Sequence, residues 1–208
     1  MNSYNELKLL IDNIQSLYSE VTQLWEQRSN SKINLKKRRV CDIEHDETIY
    51  KNIIEYMKFL NEQFPDIAMK LSSVCLCEVR SRVKMQNSIE SKIQNYNTSK
   101  HESGKVPLNK CVNDLYGIRV ILNSPLLFNE IDSFINKQYE GKYRCIDSSK
   151  LEYKATHIYF KKNNYTFPWE LQIWNECDRK SNLASHKKYK QEYTSWEKES
   201  KEGGITND

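Results

Sequence analysis

The N-terminal part of the chain carries one clear period. Leu7, Leu10, Ile14, Leu17, Val21 and Leu24 recur at alternating steps of three and four, which predicts an amphipathic helix over residues 4–28. Its apolar stripe must be covered by the domain's own core or by a partner. Asp46 reads as the N-cap of a second helix with Ile49, Ile53, Met57 and Leu60 on one face. Pro65 interrupts that pattern, and a further helical segment is predicted over 66–77. Residues 82–96 read as a helix with Met85, Ile89, Ile93 and Tyr96 as its buried stripe, and Ser88 and Lys92 four apart on another face. Residues 101–110 read as a polar, mobile loop.

The period then changes from three-to-four to two. From Tyr116 to Leu122, Ile118, Val120 and Leu122 fall on one face, with Gly117, Arg119 and Ile121 on the other, as in a strand. Pro125 opens a helix with Leu127, Ile131 and Phe134 inward. Three strands are predicted at 142–146, 153–160 and 166–174. The last sets Phe167, Trp169, Leu171 and Ile173 against Glu170, Gln172 and Trp174. A basic helix over 179–197 follows. This order of elements predicts an α/β (α+β) fold, a mixed sheet flanked by helices.

Composition narrows the class. A chain of 208 residues with 29% charged residues has room for one domain with a real core. A mean hydropathy of −0.81 and no long apolar run or signal-peptide pattern predict a cytoplasmic protein with no membrane partner. The six cysteines lack metal-ligand spacing and read as free thiols. A net charge of +4 suits phosphate-rich partners without demanding them. The densest positive stretch, Arg28 to Arg39, is either solvated surface or a hold on a phosphate backbone.

Candidate chemistry gathers on the strands. Asp114 precedes the strand at 116–122, and Arg119 lies on the face that Gly117 leaves uncrowded. A carboxylate can hold a cation and a guanidinium can take phosphate oxygens or stack on a base, although a salt-bridged strand end would look the same. Glu170 is the second acid to pair with Asp114, and both are expected at the sheet rim. Two such carboxylates suit Mg²⁺ and phosphoryl chemistry. Tyr153 and His157 add a ring and a polar handle.

The ordered set Arg82-x-Lys84-x-x-x-Ser88-x-x-x-Lys92, Asp114-x-x-Gly117-x-Arg119, Tyr153-x-x-x-His157, Glu170-x-Gln172 and His186-Lys187 resembles the synthetase domain of RelA/SpoT-type proteins. The resemblance implies a nucleotidyltransferase-like synthetase core over 79–190, a helical N-terminal region over 1–78 and a short tail over 191–208. It implies an ATP-dependent pyrophosphokinase that moves the β,γ-pyrophosphate of ATP to a ribose 3′-hydroxyl with Mg²⁺. Arg82 and Arg119 would flank the adenine, and Lys84, Ser88 and Lys92 would bind the ATP phosphates. Asp114 would hold Mg²⁺, and Glu170 would hold metal or take the hydroxyl's proton. Tyr153 would stack on the acceptor base, with His157, Gln172, Arg179, His186 and Lys187 on the acceptor side.

Departures from the family pattern fall on that acceptor side. Leu151 and Glu152 stand where a glycine commonly precedes the tyrosine, Trp174-Asn175 replaces Arg-Thr, and Arg179 replaces an asparagine. With only 18 residues after Lys190, the paired C-terminal helices of tetrameric small alarmone synthetases are not expected, which implies a monomer. The pattern is similar to the toxin branch of the family, which acts on the 3′ end of tRNA and is held by an antitoxin protein. The alternatives are an alarmone synthetase using GDP, GTP or an adenine nucleotide, and a non-catalytic RNA- or partner-binding module.

Overall fold

A computed structural model describes residues 3–73 and 77–185. Two long helices, α1 (Ser3–Arg28) and α2 (Glu47–Ser72), precede β1 (Glu78–Val83), α3 (Gln86–Tyr96) and the short α4 (Leu108–Cys111). Then come β2 (Tyr116–Leu122), α5 (Phe128–Tyr139), β3 (Arg144–Asp147), β4 (Thr156–Phe160) and β5 (Trp169–Asn175), and a helical segment begins at 179 and is described to 185. The five strands run in the order β1-β2-β5-β4-β3; β2 and β5 are parallel and the other neighbours antiparallel. The α/β fold class and its mixed sheet are as the sequence predicts.

Register explains the two faces of the sheet. Tyr116, Ile118, Val120 and Leu122 share a face with Trp169, Leu171, Ile173, Ile158 and Phe160, and all are buried. α1 and α2 cover this face. Tyr18 of α1 meets the Trp169 ring edge-on at 5.5 Å, and Tyr56 of α2 stacks on Phe167 at 4.4 Å while its hydroxyl accepts the Trp169 indole N–H at 3.0 Å. Leu7, Leu10, Ile14, Leu17 and Val21 are buried in the same core, so the α1 stripe is core. Leu24 is exposed, and Trp25 takes the inward place. Among the described residues, no helix is long and apolar enough to cross a membrane.

Several elements differ from the sequence reading. α2 runs through Pro65 as one helix. The ring costs about 3 kcal/mol in a helix interior, but Ile67 and Leu71 beyond it are buried, worth roughly 1.5–3 kcal/mol each. Residues 78–83 are a strand. Its outward Glu78, Arg80 and Arg82 hide the weak inward alternation of Val79, Ser81 and Val83, as befits a charged edge strand. Met85 then lies outside α3 as an exposed N-cap.

The stretch read as a mobile loop forms a 3-10 turn, Ser99–Gly104, and α4. Gly104 is required there: its φ is +75°, and a Cβ would sit 2.1 Å from Asn97 Oδ1. α5 starts at Phe128, because the Glu130 carboxylate accepts the Leu127 amide and fixes Leu127 as an exposed N-cap. β4 starts at Thr156, because Lys150 and Tyr153 exchange backbone hydrogen bonds of 2.8 and 2.9 Å and close a two-residue turn before it.

Candidate active site

The second face of the sheet carries the polar set in rows. One row runs Arg82, Gly117, Glu170, Tyr159 across β1, β2, β5 and β4. The next runs Arg80, Arg119, Gln172, His157. A third pairs Glu78, Ile121 and Trp174. Directly opposed residues share a face, so strand pairing alone gathers side chains up to 96 positions apart in sequence, as Glu78 and Trp174 are. The Arg82 side chain lies over Gly117, about where a Cβ there would meet its Cγ and Nε at 4.0 Å.

Beyond the first row, where β2 and β5 both begin, lies a cationic corner. Lys84 follows β1, and its amide donates to the Leu115 carbonyl at 2.9 Å. Its ammonium reaches Asp114 Oδ2 at 2.7 Å. Lys92 of α3 donates to Asp114 Oδ1 at 2.9 Å and to Asn113 Oδ1 at 3.0 Å. All three charged side chains are at most one-fifth exposed.

Burial pushes the Asp114 carboxyl up, but the two ammoniums outweigh it and hold the group well below the usual carboxylate range. Burial pulls the Lys84 ammonium down. For Lys92, burial also pulls down, but Asp114 outweighs it and the net direction is up. The two lysines therefore respond differently to one carboxylate, and Lys92, with Asn113 as a second acceptor, is the better held. Two ammoniums against one carboxylate leave a half-buried net charge of +1, a natural seat for an anion. Ser88 lies in the first turn of α3, whose N-cap Met85 supplies no side-chain cap.

Glu170 is buried rather than set at an open rim. Its Oε1 accepts from the Tyr159 hydroxyl at 2.9 Å and faces His157 Nδ1 at 3.1 Å, while its Oε2 accepts from Gln172 Nε2 at 2.7 Å. Burial pushes this carboxyl up; His157, helped by Gln172, outweighs it and the net direction is down. Burial and the charge of Glu170 push the Tyr159 phenol up, so it stays a donor.

From Glu170 a closed ring of contacts spans the rest of the face. Gln172 Oε1 accepts from Arg119 Nε and Nη2 at 3.3 and 3.1 Å. The Arg119 guanidinium lies over the Trp174 ring at 3.7 Å. The Trp174 indole donates to the Tyr153 hydroxyl at 3.3 Å, which meets His157 Nε2 at 3.2 Å. Tyr153, Trp174, Ile121 and Ala155 form a small apolar cluster of their own on this face.

Of the residues marked out by sequence, Arg82, Lys84, Lys92, Asp114, Arg119, Tyr153, His157, Glu170 and Gln172 come together, with Ser88 beside them on α3. Arg179 does not join them. It forms ion pairs with Glu78 and with Glu176, the latter at 3.2 Å, beyond the third row. His186 and Lys187 lie outside the described residues. Tyr159, Asn113 and Trp174 are site members that the sequence reading left out. Tyr159 was within reach of the strand period, two positions after His157. Among the described residues no three His, Cys, Asp or Glu side chains cluster as a ready metal cage.

The fold is similar to the crystal structure of small alarmone synthetase 1 from Bacillus subtilis, at 16% identity over 71% of this chain and 82% of that one, with a TM-score of 0.41. It is also similar to small alarmone synthetase 2 from the same organism, at 19% identity over 72% and 81%, with a TM-score of 0.35. A crystal structure of the first enzyme bound to AMPCPP matches at 15% identity over 71% and 82%, with a TM-score of 0.37. No curated protein matches. The family described as a region found in RelA / SpoT proteins matches residues 81–194, more than half of the chain. On that match the chain belongs to the RelA/SpoT family and is one of its pyrophosphokinases, which transfer pyrophosphate from ATP.

Proposed function

We propose that this pyrophosphokinase uses the 3′ end of tRNA as its acceptor. The observation that carries the reading is the position of the basic segment. Leu35 donates to the Asn164 carbonyl at 2.8 Å and accepts from the Asn109 amide at 2.9 Å, and Leu108 donates to the Arg38 carbonyl at 2.8 Å. Residues 106–109 lead into Asp114, and residue 164 leads into β5 and Glu170. Lys36, Lys37 and Arg39 are thus exposed at the end of the sheet where the charged corner lies. Burial and the nearby Lys36 pull the Lys161 ammonium down, so cations from two segments converge there. A mononucleotide has no use for that strip, whereas a polynucleotide end brings a backbone to lie along it. Arg28 and Arg38 are engaged by Glu62 and Asp46 and belong less to this footprint.

The chemistry follows from the two halves of the site. Lys84 and Lys92, with Ser88 at the start of α3, bind the ATP phosphates, and Arg82 and Arg119 flank the adenine. The acceptor's 3′-hydroxyl gives its proton to water as its oxygen attacks the β-phosphorus, the bond to the α,β-bridging oxygen breaks, and AMP leaves with that oxygen. Such transfer is positioning plus stabilisation of spreading charge. Asp114 and Glu170 would hold Mg²⁺, which takes few protein carboxylates and fills its remaining positions with water and phosphate oxygens. Bound there, the ion would neutralise charge developing on the phosphates. The three donors on Glu170 favour its anion and so suit it to that task more than to receiving the hydroxyl's proton. Tyr153 stacks on the acceptor base.

A tRNA whose terminal hydroxyl carries pyrophosphate cannot be aminoacylated there, which makes the chain a translation-arresting toxin with an antitoxin as its implied partner. The test offers γ-labelled ATP and Mg²⁺ with deacylated tRNA in one reaction and GDP or GTP in another. Label on intact tRNA is expected. Changing Lys36, Lys37 and Arg39 together to alanine should weaken the KM for tRNA by about tenfold or more and lower its salt dependence by roughly two powers, with ATP binding unchanged. Label on the guanine nucleotide alone would overturn the acceptor and leave a (p)ppGpp-type synthetase.

A further inference from the structure

We propose that Trp174 is a positioning residue for both substrates, holding Arg119 in place through its ring and Tyr153 through its indole N–H. The proposal rests on the donor-side role of Arg119 and the acceptor-side role of Tyr153 given above. Trp174 is 1% exposed, yet it lies on the polar face of the sheet, away from the main core. A buried tryptophan there is therefore explained by what it touches on that face.

Its ring lies 3.7 Å from the Arg119 guanidinium, whose Nε and Nη2 converge on Gln172 Oε1. A contact on one face and two bonds in the plane fix both the position and the tilt of a side chain that is otherwise among the most flexible. Without the ring, the restraint on the guanidinium's flat face is lost, and it could roll out of the orientation in which it meets an adenine.

On its other side the indole fixes the sense of a hydrogen-bond chain. An indole N–H can only donate and an ionised carboxylate can only accept. With a neutral imidazole, His157 Nδ1–H donates to Glu170 Oε1, so Nε2 accepts from the Tyr153 hydroxyl, which in turn accepts from Trp174. In that state the His157 tautomer and the tilt of the Tyr153 ring are set together. Trp174 is where the chain begins.

Two variants separate the roles. Trp174→Phe keeps a ring beneath Arg119 and removes the N–H. It should raise the KM for the acceptor about threefold to tenfold and leave the Kd of a nonhydrolysable ATP analogue, read by calorimetry, unchanged. Trp174→Leu removes both and should weaken the analogue by about fivefold or more as well. Thermal melts confirm folding. If Trp174→Leu does not fold, Trp174→Phe combined with Tyr153→Phe decides: the Tyr153 hydroxyl carries both links, so the double variant should match Tyr153→Phe in acceptor KM.

Equal losses for both substrates in Trp174→Phe, an unchanged analogue Kd in folded Trp174→Leu, or additive effects in the double variant would overturn the proposal. Labelling of a guanine nucleotide instead of tRNA by the unaltered chain would remove the tRNA reading alone. The same split, measured with that acceptor, would still decide Trp174.

Discussion

The two halves of the site are built on opposite electrostatic plans. At the start of β2, Lys84, Lys92 and Asp114 form a half-buried group whose charges do not cancel. Across β4 and β5, Tyr153, His157, Glu170, Gln172 and Trp174 bind one another in a ring that Arg119 of β2, from the donor side, closes. The first half is incomplete until an anion arrives. The second half has already committed its hydrogen-bonding groups, so it can offer shape, a ring to stack on and a fixed carboxylate. A phosphate-rich donor and an acceptor recognised by stacking and by its backbone are the ligands that such halves suit.

Asp114→Asn should break this contrast most severely. Removing the carboxylate between two half-buried ammoniums should cost about 3 kcal/mol of stability and lower transfer by about a thousandfold. The pH dependence separates the charge from the shape. The Asp114 carboxyl titrates below its unfolded value, so its contribution is full above the ordinary carboxylate range and is lost as pH falls through that range toward the folded value. Urea melts across acid pH should show a shallower loss of stability in Asp114→Asn than in the unaltered chain. Equal slopes would mean that the lysines do not depend on this charge.

Glu170→Gln comes next. It keeps the shape and removes the charge that three donors converge on, and transfer should fall by about a hundredfold. Because Glu170 is buried, the melt should also fall, by about 1–3 kcal/mol for donors left facing an amide. Binding of the ATP analogue should change far less than turnover. A variant that loses analogue binding in proportion to turnover would place Glu170 in the donor half instead.

The contrast was only partly legible in the sequence. β2 and β5 announced both their faces, because their inward residues are uniformly apolar and their outward ones are not. β1 was hidden, since its charged outward residues outweigh two valines and a serine, and only pairing with β2 reveals it. Asp114, Lys84 and Lys92 could be singled out by residue type and spacing. Their mutual ion pairs could not, because Lys84 lies 30 residues from Asp114 and reaches it only through the turn after β1. Trp174 stood out as an unusual neighbour of Gln172, but its role depends on β4 folding back to bring Tyr153 over it. The Arg179 ion pair with Glu78 was hidden for the same reason: nothing local marks Glu78 as its partner.

Tyr153→Phe should give the smallest effect and the sharpest reading of the acceptor half. The substitution keeps the ring that stacks on a base and deletes only the hydroxyl between Trp174 and His157. A broken link of this kind costs about 1 kcal/mol, so the acceptor KM should rise severalfold while analogue binding stays unchanged. If the ring supplies most of the acceptor contact, Tyr153→Ala should then lose at least about tenfold more. Should Tyr153→Phe and Tyr153→Ala be equally impaired, the hydroxyl rather than the ring would be what the acceptor needs. The acceptor half would then work by presenting its hydrogen-bond chain to the substrate, and its closed ring would have to open when the acceptor binds.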